Sequence, residues 1–218
     1  MENRNIPVPE QKNYEEAYGL AYQLVREKVA ATGDIEEQCR KSGARYQVTG
    51  NRRAIIISYL NRPYEISLPE AEVSLVGSDD EIPMRDKLLI LHYFTTAKGT
   101  PPGNKLITFQ ELPEGSMYSP TFAQRTINPL TRYFGDDPDK LPEVSRDLGG
   151  EKTNFGDVAV TINAFSHVPI TILFWKGDEE LTPQGNILFD ATITDYLATE
   201  DITVLCEIIT WKLIRQLG

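Results

Sequence analysis

An α+β fold built on antiparallel sheet is what this sequence predicts, and three observations carry the prediction. Short segments rich in β-formers, separated by turn signals, run through residues 46–76 as a meander would. Two strongly β-prone runs, 158–165 and 168–175, are joined only by Ser166-His167, the signature of a hairpin. Segments with helical spacing of apolar residues lie near the N-terminus, at 80–97 and at the C-terminus. The expected arrangement is an antiparallel sheet with an N-terminal helix, a central apolar helix and a C-terminal helix packed on it.

The polar, proline-containing residues 1–12 read as a flexible arm, and 13–218 as a single α+β domain whose one candidate boundary lies near residue 78. From Asn13 to Ala31, Tyr14, Ala17, Tyr18, Ala21, Leu24, Val25 and Val29 recur at helical spacing. Early Glu15 and Glu16 and late Arg26 and Lys28 suit the helix dipole. A short helix over 34–41, closed by Gly43, follows. The meander strands are expected at 46–49, 54–59, 64–68 and 72–76. The next helix is placed with Asp80 as N-cap and Pro83 in the first turn, where proline is tolerated. Its Met84, Leu88, Leu89, Leu91 and Tyr93 cover most of its circumference, which makes it central.

A strand at 105–109 leads to Ser119-Pro120, and Asn128-Pro129 and Asp137-Pro138 repeat the same device. Each pair reads as a capping side chain followed by proline at the first helical position, predicting three short helices in succession. Residues 149–156 and 177–185 read as loops, 186–189 as a strand, and the last helix begins at Glu200 with Thr199 as N-cap. There is no internal repeat or low-complexity tract.

Composition bounds the function classes. The net charge of −10 argues against nucleic acid and against anionic membrane surfaces, both of which call for basic patches. Cys39 and Cys206 stand far apart without a CxxC spacing, so they make no zinc or iron–sulfur ligand set alone and read as reduced and inert. No apolar run approaches the roughly 20 residues that span a bilayer, and residues 1–9 lack the apolar core of a secretory signal. A cytoplasmic protein is expected.

The segment 105–125 carries the strongest site signal. A strand, a Pro/Gly-punctuated loop bearing Tyr118, a capped helix start at Pro120 and Arg125 less than two turns later bring together backbone N–H groups, a phenol and a guanidinium. Free N–H groups at a helix start attract anions, and a guanidinium grips carboxylate or phosphate in bidentate fashion. Asp190, closing the apolar strand Ile187-Leu188-Phe189, is the candidate to orient Arg125. The alternative for Arg125 is an ion pair with a carboxylate such as Glu111.

Several of these segments resemble an uncharacterised prokaryotic family, domain of unknown function 3786. The resemblance rests on Leu91-His92-Tyr93-Phe94 leading to Gly99, and on Phe109-Gln110-Glu111-Leu112-Pro113 with Tyr118, Phe122 and Arg125. It continues through Pro129-Leu130 with Phe134-Gly135, Gly156-Asp157-Val158-Ala159 and Phe174-Trp175-Lys176-Gly177-Asp178-Glu179-Glu180, to Leu188-Phe189-Asp190 and Thr199-Glu200-Asp201. The resemblance implies a protein of anaerobic bacteria or archaea, without an assigned activity. Some family members carry a cysteine-rich iron–sulfur segment, for which this chain has no counterpart.

The reading is therefore a protein that binds a small anionic ligand or cofactor, or assists a cofactor-dependent partner enzyme of anaerobic metabolism. Tyr118, Arg125, Asp190 and Glu111 are its candidate ligand-binding residues, with no catalytic residue and no particular cofactor assigned. A second class is a metal-assisted enzyme using Asp178, Glu179, Asp190 and Glu200, since hard cations take oxygen ligands and paired carboxylates serve acid–base chemistry. A third is an interaction module in which the hairpin 158–175 or the helix 80–97 docks on a partner. His92 reads as a satisfied core or rim histidine and His167 as an exposed turn residue. Neither G-x-S-x-G nor G-x-x-x-x-G-K-[ST] occurs.

Overall fold

The structure, a computed structural model, describes residues 10–217, with side chains from Tyr18 onward. Residues 1–9 of the expected arm lie outside the described residues, and Glu10 to Lys12 form the first turn of α1 (Glu10–Ala30). After α2 (Ile35–Ser42), four strands make an antiparallel meander in the order β1 (Arg45–Thr49), β2 (Arg52–Tyr59), β3 (Arg62–Leu68), β4 (Val73–Leu75). The helix α3 (Met84–Thr96) separates it from a second sheet. That sheet holds β5 (Leu106–Thr108), β6 (Gly150–Lys152), β7 (Val158–Phe165), β8 (Val168–Trp175) and β9 (Gln184–Asp190), in the order β5-β9-β8-β7-β6 and antiparallel throughout. Between β5 and β6 run α4 (Gly115–Arg125), α5 (Ile127–Phe134) and α6 (Leu141–Val144), and α7 (Thr199–Arg215) closes the fold. The α+β class, the antiparallel pairing and the framing helices are as expected, with two sheets where one was expected.

Local chemistry explains the boundaries that differ. Pro83, not Asp80, precedes α3, and the Asp80 amide is taken by the Ser78 hydroxyl at 3.1 Å. The loop expected at 149–156 contains β6, a three-residue edge strand too short to produce a period-two signal. Ala198 rather than Thr199 caps α7, because the Thr199 hydroxyl donates to Pro113 O at 2.8 Å instead. On α1 the buried stripe is Tyr22, Val25 and Val29, while Leu24 stands exposed.

One aromatic column ties the layers together. Phe165 of β7 stacks on Tyr59 of β2 at 4.9 Å and on Tyr93 of α3 at 4.0 Å between centroids. Tyr93 continues to Tyr196 at 5.7 Å, and His167 stacks on the same tyrosine at 5.4 Å. His167 is therefore half-buried instead of an exposed turn residue, and burial lowers its pKa. The tip of the β2–β3 turn reinforces the join, the Leu60 amide donating to Ala164 O at 2.9 Å. The hairpin β7–β8 and the helix α3, the two docking surfaces of the interaction-module reading, are mostly buried in this core.

Asp86, in the first turn of α3, is a carboxyl inside that core, 5% exposed. Burial pushes its pKa up, against the opposing charge of Lys212, a contact with Tyr59 and the charge of Arg85. The Tyr59 hydroxyl is fully buried with no hydrogen-bond partner within 3.5 Å, and burial together with the Asp86 charge raises its pKa well above the ordinary value. Tyr64, also buried, feels the same carboxylate. A carboxyl with a raised folded pKa binds its proton more tightly when folded. Its contribution is thus full below the unfolded pKa and lost as pH rises through the folded one. Asp86→Asn is expected to raise Tm above wild type near pH 7, the difference vanishing at about pH 4. A variant that melts below wild type at neutral pH would instead show that the Lys212 charge outweighs burial.

Candidate functional site

The strand–loop–helix at 105–125 takes its shape from a chain of tight turns. Thr108 and Glu111 form a capping box on a single 3-10 turn, Phe109–Glu111. Glu111 accepts from the Thr108 amide at 2.7 Å and from its hydroxyl at 3.0 Å, bonds that hold the carboxyl below its usual pKa. The Leu112 amide then reaches Phe109 O at 3.2 Å and the Gly115 amide reaches Leu112 O at 2.9 Å. Glu114 adopts a left-handed φ of 60°, and a Cβ on Gly115 would lie 1.9 Å from Phe109 O, so the approach requires glycine.

These bonds start α4 at Gly115, five residues before the expected start at Pro120. Pro120 lies inside the helix, Ser119 accepts a hydrogen bond from the Gln110 amide group at 3.2 Å, and the Met117 and Tyr118 amides bond Glu114 O. The free N–H groups expected at Pro120 are therefore absent, and no anion cradle forms there. Asn128-Pro129 falls within the first turn of α5, and only Asp137-Pro138 starts a helical turn as predicted, a short 3-10 one.

What forms instead is a cleft of about 450 Å³ between α1, α4 and α7. Tyr118 and Arg125 of α4 share it with Tyr18 of α1, with Glu114, and with Thr199 and Glu200 at the start of α7. Phe122 of α4 is its apolar floor. That floor is rigid, because Phe122 stacks on Phe109 at 3.9 Å and both meet Phe189 of β9 edge to face. The Thr199 bond to Pro113 O fixes the α7 end against the turn before α4. Arg125 approaches Glu207 at 3.8 Å, while Arg85 binds the other oxygen of Glu207 at 3.0 Å. A separation of 3.8 Å is too long for a hydrogen bond, so the Arg125 donors are not spent on Glu207.

A family model described as domain of unknown function (DUF3786) matches residues 34–211 of the chain. The chain belongs to this family. No curated protein and no solved structure matches it. Within the DUF3786 match fall the α4 and α7 walls of the cleft, whereas α1 with Tyr18 precedes it.

The other site residues expected of this DUF3786 chain have different work. Asp190 does not meet Arg125. Its oxygens accept from the amides of Gly103 and Asn104 and from the amide and hydroxyl of Thr192. Glu111 is engaged with Thr108 and is not part of the cleft wall. The carboxylates of the metal reading are dispersed: Asp178 turns its own loop by accepting from the Glu180 and Leu181 amides, Asp190 closes β9, and Glu200 faces the cleft. Among the described residues, no group of three or more His, Cys, Asp or Glu converges to hold a metal. His92 contacts Asp201 at 2.9 Å, joining α3 to α7. Both cysteines are buried free thiols, and burial raises Cys39 to about 11 and Cys206 further. None of the described helices is long and apolar enough to cross a membrane.

Sequence reasoning missed Tyr18, Glu114 and Thr199 as cleft residues, and it names Glu200 only as a ligand of the metal reading. Tyr18 falls in the apolar pattern of α1, and Thr199 reads as a helix cap.

Proposed function

We propose that this DUF3786 protein binds a small polar molecule in the cleft between α1, α4 and α7. Arg125 holds an anionic group of the ligand, and the Tyr18 and Tyr118 rings flank its body. The observation that carries this reading is one cleft of about 450 Å³ in which an exposed guanidinium, without a hydrogen bond among the described residues, faces two phenols and the carboxylates of Glu114 and Glu200. The volume is in the range of small-molecule sites. Two carboxylates beside one guanidinium narrow the anionic ligand of the sequence reading to a zwitterion, an amino-acid-like molecule whose ammonium meets Glu114 or Glu200.

A thermal-shift panel of free α-amino acids and short monocarboxylates, followed by calorimetry on the members that shift Tm, tests this. Binding is expected among the amino acids and is expected to weaken about thirtyfold in Arg125→Ala, the loss of a contact worth roughly 2 kcal/mol. The substitution itself is expected to leave the melting temperature nearly unchanged, because exposed ion pairs contribute little. If no amino acid shifts Tm, or if the Arg125→Ala protein binds as wild type does, the reading is wrong.

A further inference from the structure

The opposite end of α7 carries a second concave site of different character. A pocket of about 540 Å³ is lined by Arg62, Arg146, Lys212 and Arg215, with Asp147 as the one carboxylate on its wall. The protein as a whole has 22 basic and 32 acidic side chains, so a concentration of four cations against one anion runs against its own composition. These cations are also little engaged. Arg62 meets the exposed Asp80 only at 4.0 Å. Among the described residues, Arg146, Lys212 and Arg215 have no carboxylate within 4.0 Å. Unpaired like charges held together repel one another, and a bound anion relieves that repulsion.

The wall is built on fixed backbone. Arg62 opens β3 after the two-residue turn Leu60-Asn61, whose φ values are 47° and 63°. Arg146 opens the 3-10 turn Arg146–Leu148, closed by Gly149 at φ 73°. A Cβ on Gly149 would meet Asn61 Cβ at 3.1 Å, so the two turns are in close contact. Lys212 and Arg215 project from the last turn of α7, where the helix dipole is negative and favours cations. The Lys212 charge also acts on the buried Asp86 carboxyl, where burial raises the pKa and the Lys212 charge opposes that rise. Leu60, Tyr64 and Leu148, all largely buried, make the rest of the floor apolar.

The geometry points to this pocket as a binding site for an organic phosphate carrying at least two negative charges. Three guanidiniums suit the oxygens of phosphate, which they contact in forked pairs, and the ammonium adds a point charge. The volume exceeds what bare phosphate fills, and the apolar floor of Leu60, Tyr64 and Leu148 accepts an uncharged body such as a nucleoside. The pocket does not share a lining residue with the Arg125 cleft, so the two sites are tested separately.

Titration calorimetry at low ionic strength with pyrophosphate, ADP and adenosine is the test. Pyrophosphate and ADP are expected to bind, ADP more tightly, and adenosine is expected to give no signal. The double variant Arg146→Ala/Arg215→Ala, both exposed side chains, is expected to weaken ADP roughly tenfold or more. Arg125→Ala is expected to leave it as in wild type. Arg62→Glu serves as the second variant should the double one lose its cooperative melt, and it is expected to abolish the signal. Absence of pyrophosphate and ADP binding overturns the site, as does binding unaltered by these substitutions. ADP binding no tighter than pyrophosphate overturns the organic part of the ligand, and ADP binding lost in Arg125→Ala places the phosphate in the other cleft.

Discussion

Asp190→Ala is expected to destabilise the protein by about 3 kcal/mol, through loss of one hub instead of through a ligand site. The carboxylate is 2% exposed and ends β9. It receives the Gly103 amide at 3.0 Å, the Asn104 amide at 2.7 Å, and the Thr192 amide and hydroxyl at 3.0 and 2.7 Å. Removing it leaves several donors without partners, each costing roughly 1–3 kcal/mol where water cannot replace the acceptor. The connector before β5 loses its tie to the sheet edge at the place where Leu106 pairs with Asp190. Asp190→Asn retains one acceptor oxygen and is expected to recover about half of the loss. Desolvation raises the Asp190 pKa, but the bonds from Thr192, Gly103 and Asn104 together outweigh it and hold the carboxyl below its ordinary value. A depressed folded pKa contributes stability above the unfolded value that is lost as pH falls through the folded one. The wild-type advantage over Asp190→Ala should accordingly shrink below about pH 4. Urea unfolding across pH measures it, and a cost under about 1 kcal/mol near neutrality would show that the connector is held by other bonds. A double-mutant cycle with Arg125→Ala is expected to give coupling within about 0.5 kcal/mol of zero, as for distant sites.

The different fates of Asp190 and Arg125 show where sequence reasoning reaches and where it stops. Period-two alternation and turn residues are local, so the meander and the β7–β8 hairpin were legible within a few residues at each end. The apolar character of α3 was equally legible, because Leu88, Leu89, Ile90, Leu91, Tyr93 and Phe94 are all buried, although Met84 at its start stands exposed. The start of α4 was not. Ser119-Pro120 is a genuine capping signal, yet Gly115 fits against Phe109 O and the turn beginning at Thr108 runs straight into the helix. Tertiary contact overrode the local preference. Pairings were the least legible of all: Arg125 with Glu207, and Arg62 with Arg146, Lys212 and Arg215, join residues that only the folded chain brings together. An acidic residue after an apolar strand reads as the group that orients Arg125, yet Asp190 takes the Gly103 and Asn104 amides instead, partners that nothing in its neighbours in sequence names.

The boundary suggested near residue 78 is put to the test by Phe165→Ala, for which a loss of about 3–5 kcal/mol is expected. Phe165 is 1% exposed and belongs to the second sheet, yet its ring packs on Tyr59 of the first sheet and on Tyr93 of the helix between them. Truncation removes stacking on both faces, and the register shift between Asn163 and Phe165 aims this residue at the junction. Two modes of failure are distinguishable. If the sheets unfold as separate units, the cavity uncouples them: β1–β4 melts early, and amide exchange accelerates in β2 and β3 while β8 stays protected. If they form one cooperative unit, a single transition persists with Tm lowered by roughly 10 °C and with exchange accelerated equally in both sheets. The second outcome is expected. The core is continuous across the boundary, with Ile55, Ile57 and Tyr59 in the same buried cluster as Val160, Ile162 and Phe165. The Leu60 amide crosses it to Ala164 O, so opening one sheet exposes backbone of the other.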